Sequence, residues 1–450
     1  MSYVPHTAAD RASMLSAVGV SAIGELFAAV PSALRAPALN LPPSLSEWEL
    51  NEHLHDLAAQ NHSPQRDGDY FIGGGAYRHH IPAVVDEICA RSEFYTAYTP
   101  YQPEISQGML QAIFEFQTAI ARVTGLAVAN ASLYDAGTAI YEAAVMAKNV
   151  TKRREIIYDT TLNPHYREVL RSHGDRKFFT HRVRDYANDA AAGLASVAAR
   201  VNDQTAAVIA QYPDFFGRVA DLTALAATCH QHGALLIVAG NPLAFGVLTP
   251  PGDFGADIAV GDAQPLGMPL NYGGPFCGYI ACAEKLTRHL PGRLVGETTD
   301  GRGERGFVLT LQAREQHIKR ERAGSNICSN QALCALRALV YLTVMGKTGF
   351  RQTAELCLQK AAYARAQLGA VPGAELVFGG AHFNEFVLRL DRPVMDLFRA
   401  FGHQFEPGIR LGRWYPQLAQ CLLISVTELN RRSDIDLYAA RLREFMAATN

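Results

Sequence analysis

Apolar residues along this chain switch between helical spacing and short continuous runs, and the switches divide it into elements. Between Glu104 and Gly125, Leu110, Ile113, Phe114, Ile120 and Ala121 recur at the interval of a helix face, and Gly125 is a natural stop. From about 126 to 285, short apolar runs alternate with helical patterns. The runs predict strands at 155–158, 205–210, 234–239, 256–260 and 276–282. The helical patterns fall near 135–149, 164–172, 189–201 and 221–232. Such alternation predicts an α/β fold, a mainly parallel sheet flanked by helices. Ligands of such folds sit at the carboxyl ends of the strands.

Residues 1–62 read as a helical arm. Asp10 is placed to cap a first helix and Ser21 a second through Ile23, Leu26 and Phe27. Ser46 to Glu49 is a capping-box pattern ahead of Leu50, Leu54 and Leu57, with Pro42 and Pro43 as a break. This apolar stripe must be buried against the core or another subunit. After 63–345, a large α/β domain, the composition shifts. Helical stretches at 329–345 and 349–368 stop at Gly346 and Gly369. Strands at 375–378, 384–390 and 421–426 then alternate with helices at 393–401 and 433–447, the last begun by Ser433, Asp434 and Asp436. Residues 346–450 thus read as a small α+β domain.

Composition narrows the classes. Hydrophobic residues make up 48% and charged residues 19%, which describes a globular chain rather than a disordered one. The formal net charge of -2, without a basic block, argues against nucleic acid. The eight cysteines form no CxxC pair, so they read as small buried hydrophobes. No secretory signal and no run long enough to span a bilayer is evident, so the cytoplasm is the expected location.

The stretch 234–282 carries the chemistry, by omission. Strand, loop, strand, turn, Gly-rich loop, strand resembles the layout in which pyridoxal phosphate (PLP) enzymes present two groups. One is an Asp closing the first strand, which keeps the pyridine nitrogen protonated. The other is a Lys just after the second strand, which forms the Schiff base. Here the first strand ends Val238-Ala239-Gly240, and no lysine occurs between Lys177 and Lys285. Lys285 lies too late in this frame to replace it. The frame is kept without its chemistry, as expected of a subunit that completes a site whose lysine lies on another chain.

The segment 94–108, FYTAYTPYQPEISQG, sets Tyr95, Tyr98 and Tyr101 three apart among Pro100 and Pro103. A polyproline-like stretch would put these phenols on one face, fit to grip a small polar ligand or shape a channel. A packed loop with buried rings is the plainer alternative.

Together with that segment, FIGGGAYRHHIPAVVDEI (71–88), NASLYDAGTAIYEAAVMA (130–147) and ERGFVLTLQAREQHIKRERAGSNICSNQALCAL (304–336) resemble the P-protein (glycine decarboxylase) family of the glycine cleavage system. Within it they are most similar to the α subunit of the two-subunit form. The resemblance implies a type I PLP-transferase fold and an α2β2 assembly. In it the β subunit carries the Schiff-base lysine, hence the cofactor, and the α subunit alone is inactive. The complex decarboxylates glycine and passes the aminomethyl group to the lipoyl arm of H-protein.

What such a chain can add is the far wall of the partner's pocket. Tyr95, Tyr98, Thr99, Gln102 and Glu104 are the candidates, for the glycine carboxylate or the lipoyl channel. Arg322 to Asn326 resembles a loop that reaches a cofactor phosphate across a dimer interface. Gly324 and Ser325 are therefore candidate phosphate contacts, with local capping by Ser325 or Ser329 as the alternative.

Asp135, Gly137 and Thr138 read as helix capping where active relatives bind phosphate. Asn271 to Gly274 reads as a turn that needs positive φ. Arg314 to Arg322 reads as a solvated helix face with a Glu315–Lys319 pair, or as a docking site for H-protein. His79 and His80 do not have metal-ligand spacing and read as packed or loop residues.

Overall fold

The structure is a computed structural model that describes residues 5–35, 40–61, 69–174, 178–325, 327, 330–402 and 405–448. It forms two compact units, Met1–His62 and Ser63–Asn450.

The first unit holds helices α1 (Ala8–Val18) and α2 (Glu47–Ala59). The cap of α1 is Thr7, not Asp10. Asp10 stands at the third helical position, where its carboxylate accepts from Thr7 N–H while the Thr7 hydroxyl accepts from Asp10 N–H. Ser46 and Glu49 close the same box on α2, as their spacing predicts. Ile23–Phe27 is a 3-10 turn, and Ser21 bonds to Glu25 ahead of it. Both helices bury nothing, and Trp48 is 71% exposed.

In the second unit the helices are α3 (Ala83–Cys89), α4 (Gln107–Thr124), α5 (Ala136–Thr151), α6 (Pro164–His173), α7 (Ala190–Ala198), α8 (Thr223–Gln231), α9 (Ala332–Gly369), α10 (Val394–Phe401) and α11 (Arg432–Ala447). Its first strand is β1 (Asp69–Tyr70). The large sheet comprises β2 (Val128–Ala129), β3 (Glu155–Asp159), β4 (Thr180–Arg184), β5 (Thr205–Tyr212), β6 (Leu235–Gly240), β7 (Ile258–Asp262) and β8 (Gly278–Cys282), in the order 2-8-7-6-5-3-4. Pairings among β3 to β7 are parallel. β8 runs antiparallel between β7 and β2 because residues 263–277 carry no crossover helix.

The central strands are buried on both faces, so they read as unbroken apolar runs. One face packs on α5 through Ile140, Ile156, Ile209 and Ile237. The other packs on α7 and α8 through Val197, Val208, Leu225 and Val238. Each such side chain contributes about 2 kcal/mol of apolar burial.

The two-residue strands β1 and β2, the edge strand β4 and the hairpin that follows β8 have no counterpart in the predicted strands. β4 is an edge strand whose side chains alternate between exposed and half-buried, and it includes Arg182 and Arg184, so it offers no apolar run. The hairpin β9 (Leu294–Thr299) and β10 (Arg305–Thr310) has an exposed outer half.

The two predicted C-terminal helices form one element, α9, kinked at Gly346 with φ 58° and ψ -176°. Its length and apolar composition would suit a membrane span, but Ala335, Ala338, Tyr341, Cys357, Ala361 and Ala364 are buried in the core. Next come β11 (Ala374–Leu376), β12 (Glu385–Leu390), β13 (Phe405–Glu406), β14 (Ile409–Arg410) and β15 (Cys421–Ser425). Four of them form an antiparallel sheet in the order 11-12-15-14, while β13 pairs with β1. The last helix starts at Arg432, with Asp434 rather than Ser433 closing its box. The seven described cysteines are free and buried; Cys328 lies outside the described residues.

Candidate functional site

The carboxyl ends of β5, β6 and β7 meet where a ligand of this fold belongs, and there the chain's own side chains leave little room. The cavity left is about 30 Å³, lined by Tyr77, Tyr166, Gln211, Asn241, Asp262 and Glu385 among others. That is room for a water molecule or two, not for a substituted pyridine. At the end of β6, where the acid for a pyridine nitrogen would stand, Ala239 is buried and the Phe245 ring edge lies where a side chain on Gly240 would go. Tyr279 OH donates to the Gly240 carbonyl at 2.9 Å.

In the turn after β7, the part of this layout in which PLP enzymes carry their lysine, Pro265 lines the cavity and Gln264 beside it is fully buried. Its Oε1 accepts from Tyr77 N–H, and its Nε2 donates to the carbonyls of Tyr77 and Met268, each at 2.8 Å.

The electrostatics oppose an anion. The cavity lining contains no lysine or arginine among the described residues. Burial pushes Glu385 up to about 7 and Asp262 up to about 6, although backbone N–H groups donate to both. The N-terminus of α5, the place for a phosphate, is filled by the chain's own carboxylates. Asp135 Oδ1 accepts from Thr138 N–H at 2.7 Å, and Asp262 Oδ2 accepts from Ala136 N–H at 3.4 Å. PLP therefore does not fit the residues present. Lys285 is no substitute: it pairs with Asp257 at 2.9 Å, at the amino end of β7, on the opposite side of the sheet.

The tyrosine segment presents the contrary picture. Tyr95, Tyr98 and Tyr101 are 69%, 82% and 53% exposed, so the packed-loop alternative does not describe them. Gln102 and Glu104 are exposed and Thr99 is half-buried. A single polyproline face is not formed either. Ser92–Tyr95 makes a helical turn, because no proline there prevents it, and only Tyr98 and Tyr101 bring their rings together, at 6.3 Å.

Two residues that sequence reasoning missed hold the segment. Gln107 pairs with both backbone groups of Phe307 in β10, at 2.8 Å each. Arg293, only 5% exposed, reaches the Tyr101 hydroxyl at 3.3 Å, lies 5.5 Å from its ring centroid and donates to Asn330 Oδ1 at 3.2 Å. Asn330 in turn donates to Ser132 Oγ at 3.1 Å. Arg293 thus links the tyrosine segment to the loop that carries Gly324 and Ser325. Its only sequence signal is a polar residue after a Pro-Gly turn.

In that loop Gly324 is exposed and Ser325 half-buried, and Ser325 Oγ accepts from Ile327 N–H at 3.1 Å. No helix N-terminus backs it, since α9 begins only at Ala332. Asn326 and Ser329 lie outside the described residues. The run 314–322 is not one solvated helix. A helical turn, Gln316–Lys319, ends at Arg320 with φ 53°, and Glu315 is buried. Asn271 to Gly274 is a turn with positive φ at all four residues, and His79 is packed against Glu428.

Comparison with known proteins follows the same line. The family described as Glycine cleavage system P-protein matches residues 1–441. A "Probable glycine dehydrogenase (decarboxylating) subunit 1" of Anoxybacillus flavithermus is 48% identical over 99% of both chains. The protein of the same name from Citrifermentans bemidjiense is 46% identical over 100% of both. Among solved structures, an inhibitor-bound glycine decarboxylase (P-protein) of the glycine cleavage system is 40% identical. It superposes with a TM-score of 0.90 over 99% of this chain and 100% of that one. A glutamate decarboxylase of Lactobacillus brevis, 13% identical with a TM-score of 0.69 over 94% of this chain and 99% of that one, shares the fold alone. The chain belongs to the glycine cleavage system P-protein family, and matches its subunit-1 members over their whole length.

Proposed function

We propose that this chain is the half of a two-subunit glycine decarboxylase that builds one wall of the active site and leaves the cofactor to its partner. One observation carries the reading: the strand-end cavity is narrowed by the chain's own side chains to room for a water or two, while Tyr95, Tyr98 and Tyr101 stand exposed, Tyr101 against the buried Arg293. PLP, held by the partner subunit, supplies an electron sink for the carbon that loses carbon dioxide.

This chain's residues do the rest of the binding. Tyr95, Tyr98, Thr99, Gln102 and Glu104 bind the glycine carboxylate or shape the channel for the lipoyl arm of H-protein. Gly324 and Ser325 offer backbone N–H groups to the partner's cofactor phosphate. In this reading the arm (1–62) grips the second subunit, the large domain (63–345) carries the wall, and the small domain (346–450) supports it. The assembly is α2β2, in the cytoplasm.

The test is visible absorbance and isotope exchange. The chain purified alone with PLP is expected to show no borohydride-fixable chromophore and no glycine-dependent carbon dioxide exchange. Both are expected on addition of the second subunit. A fixable chromophore in the isolated chain overturns the reading.

A further inference from the structure

His79, Cys357 and Glu428 come from three distant parts of the second unit. His79 lies in the loop before α3, Cys357 in the second half of α9, and Glu428 in the loop between β15 and α11. One donor atom of each lies within 4.8 Å of the other two. His79 Nδ1 is 2.7 Å from Glu428 Oε2, and Cys357 Sγ is 3.4 Å from the same oxygen. We propose that these three side chains form a binding site for a divalent transition-metal cation of the zinc class.

The argument is geometric and chemical. Three points this close have a common centre at about 2–2.5 Å from each, the range of zinc bonds to nitrogen, oxygen and sulfur. Imidazole, thiolate and carboxylate together select a borderline metal over magnesium or calcium, which prefer oxygen alone. Burial protects the site: Cys357 is fully buried and His79 is 8% exposed.

The carboxylate is held in place from its other side, since Glu428 Oε1 accepts from His80 N–H at 2.5 Å. Lys360 Nζ donates to the Glu428 carbonyl, so this cation engages the backbone and leaves the carboxylate free. The bound ion ties three segments of chain, and stabilises the folded form by mass action.

Sequence spacing could not show this site, because Glu428 lies 349 positions from His79 and 71 from Cys357.

The full-length chain, freed of metal by a chelator, is to be titrated with Co²⁺ as the probe. Expected are a thiolate-to-cobalt charge-transfer band that saturates at one ion per chain, its loss on adding Zn²⁺, and a raised unfolding midpoint with either ion. Cys357→Ser and His79→Gln should each abolish the band. Cys421→Ser, at the opposite end of β15 from Glu428, should keep it. A wild-type chain that shows no such band overturns the proposal, as does a band that survives in either ligand variant. Should one variant fail to fold, the other decides. Should both fail, a wild-type midpoint unmoved by either ion overturns the site, and a raised midpoint with the one-ion band supports it.

Discussion

Gln264 and Tyr77 pair like neighbouring strands: the glutamine amide takes the tyrosine's backbone N–H and carbonyl at 2.8 Å each. The pair occupies the turn where a PLP enzyme keeps its lysine. A lysine placed in that turn should therefore fail to serve. Gln264→Lys loses three hydrogen bonds and buries an ammonium, at a cost of at least about 3 kcal/mol. We expect a lower melting temperature and no PLP chromophore, read by calorimetry and absorbance. A yellow, stable variant would show that the pocket opens more easily than its packing implies.

Glu385 makes stability depend on pH. Its ordinary value of 4.5 is pushed to about 7, by burial against the opposing pull of Gly74 N–H and Tyr77 OH. A raised carboxyl favours folding fully below about 4.5, and that contribution is lost as pH rises through about 7. Replacing it with an isosteric amide removes this loss. Glu385→Gln should gain on the wild type from pH 4.5 to 7, by up to roughly 3 kcal/mol. Asp262, raised to about 6, acts with the same sign in both proteins and cancels in the difference; Asp214 does not, since its charge adds to the push on Glu385. Urea midpoints across that range provide the measurement; parallel curves would remove Glu385 from the account.

Tyr98 separates function from folding. At 82% exposed it has little to lose in stability, so Tyr98→Ala should shift the unfolding free energy of the isolated chain by at most about 0.5 kcal/mol. In the assembled enzyme it should lower kcat/KM for glycine-dependent exchange at least tenfold. Arg293→Met should do both, destabilising the chain by about 1–3 kcal/mol and weakening exchange, because it frees Tyr101 from below.

Trp48 tests the arm. Trp48→Asp on α2 should leave the melt of the isolated chain unchanged, since the indole is 71% exposed. Sedimentation of the mixed subunits should show weaker association. Unchanged association would assign the grip elsewhere.

The central strands were legible in the sequence because burial on both faces forces continuous apolar runs, as in Leu235–Gly240. Edge elements were not: β4 alternates cations with half-buried residues, and the hairpin β9–β10 is exposed along its outer half. Caps shift by a few residues: Asp10 reads as a cap but is the box partner of Thr7 at the third position, and the last helix is capped at Arg431, ahead of Ser433. The missing lysine was readable as an absence. What holds the turn after β7 was not, because Gln264 meets Tyr77, 187 positions away along the chain. Arg293 stayed hidden for the same reason, as a single buried cation whose partners come from two distant loops.

The capping of α5 by Asp135 has a consequence for supply. A helix end that waits for a phosphate couples folding to the concentration of a vitamin-derived molecule. Here the counter-charge is written into the gene, and the Thr138 and Ala136 amides are already satisfied. On the proposed division of labour, the chain folds without that molecule and leaves it to the second subunit.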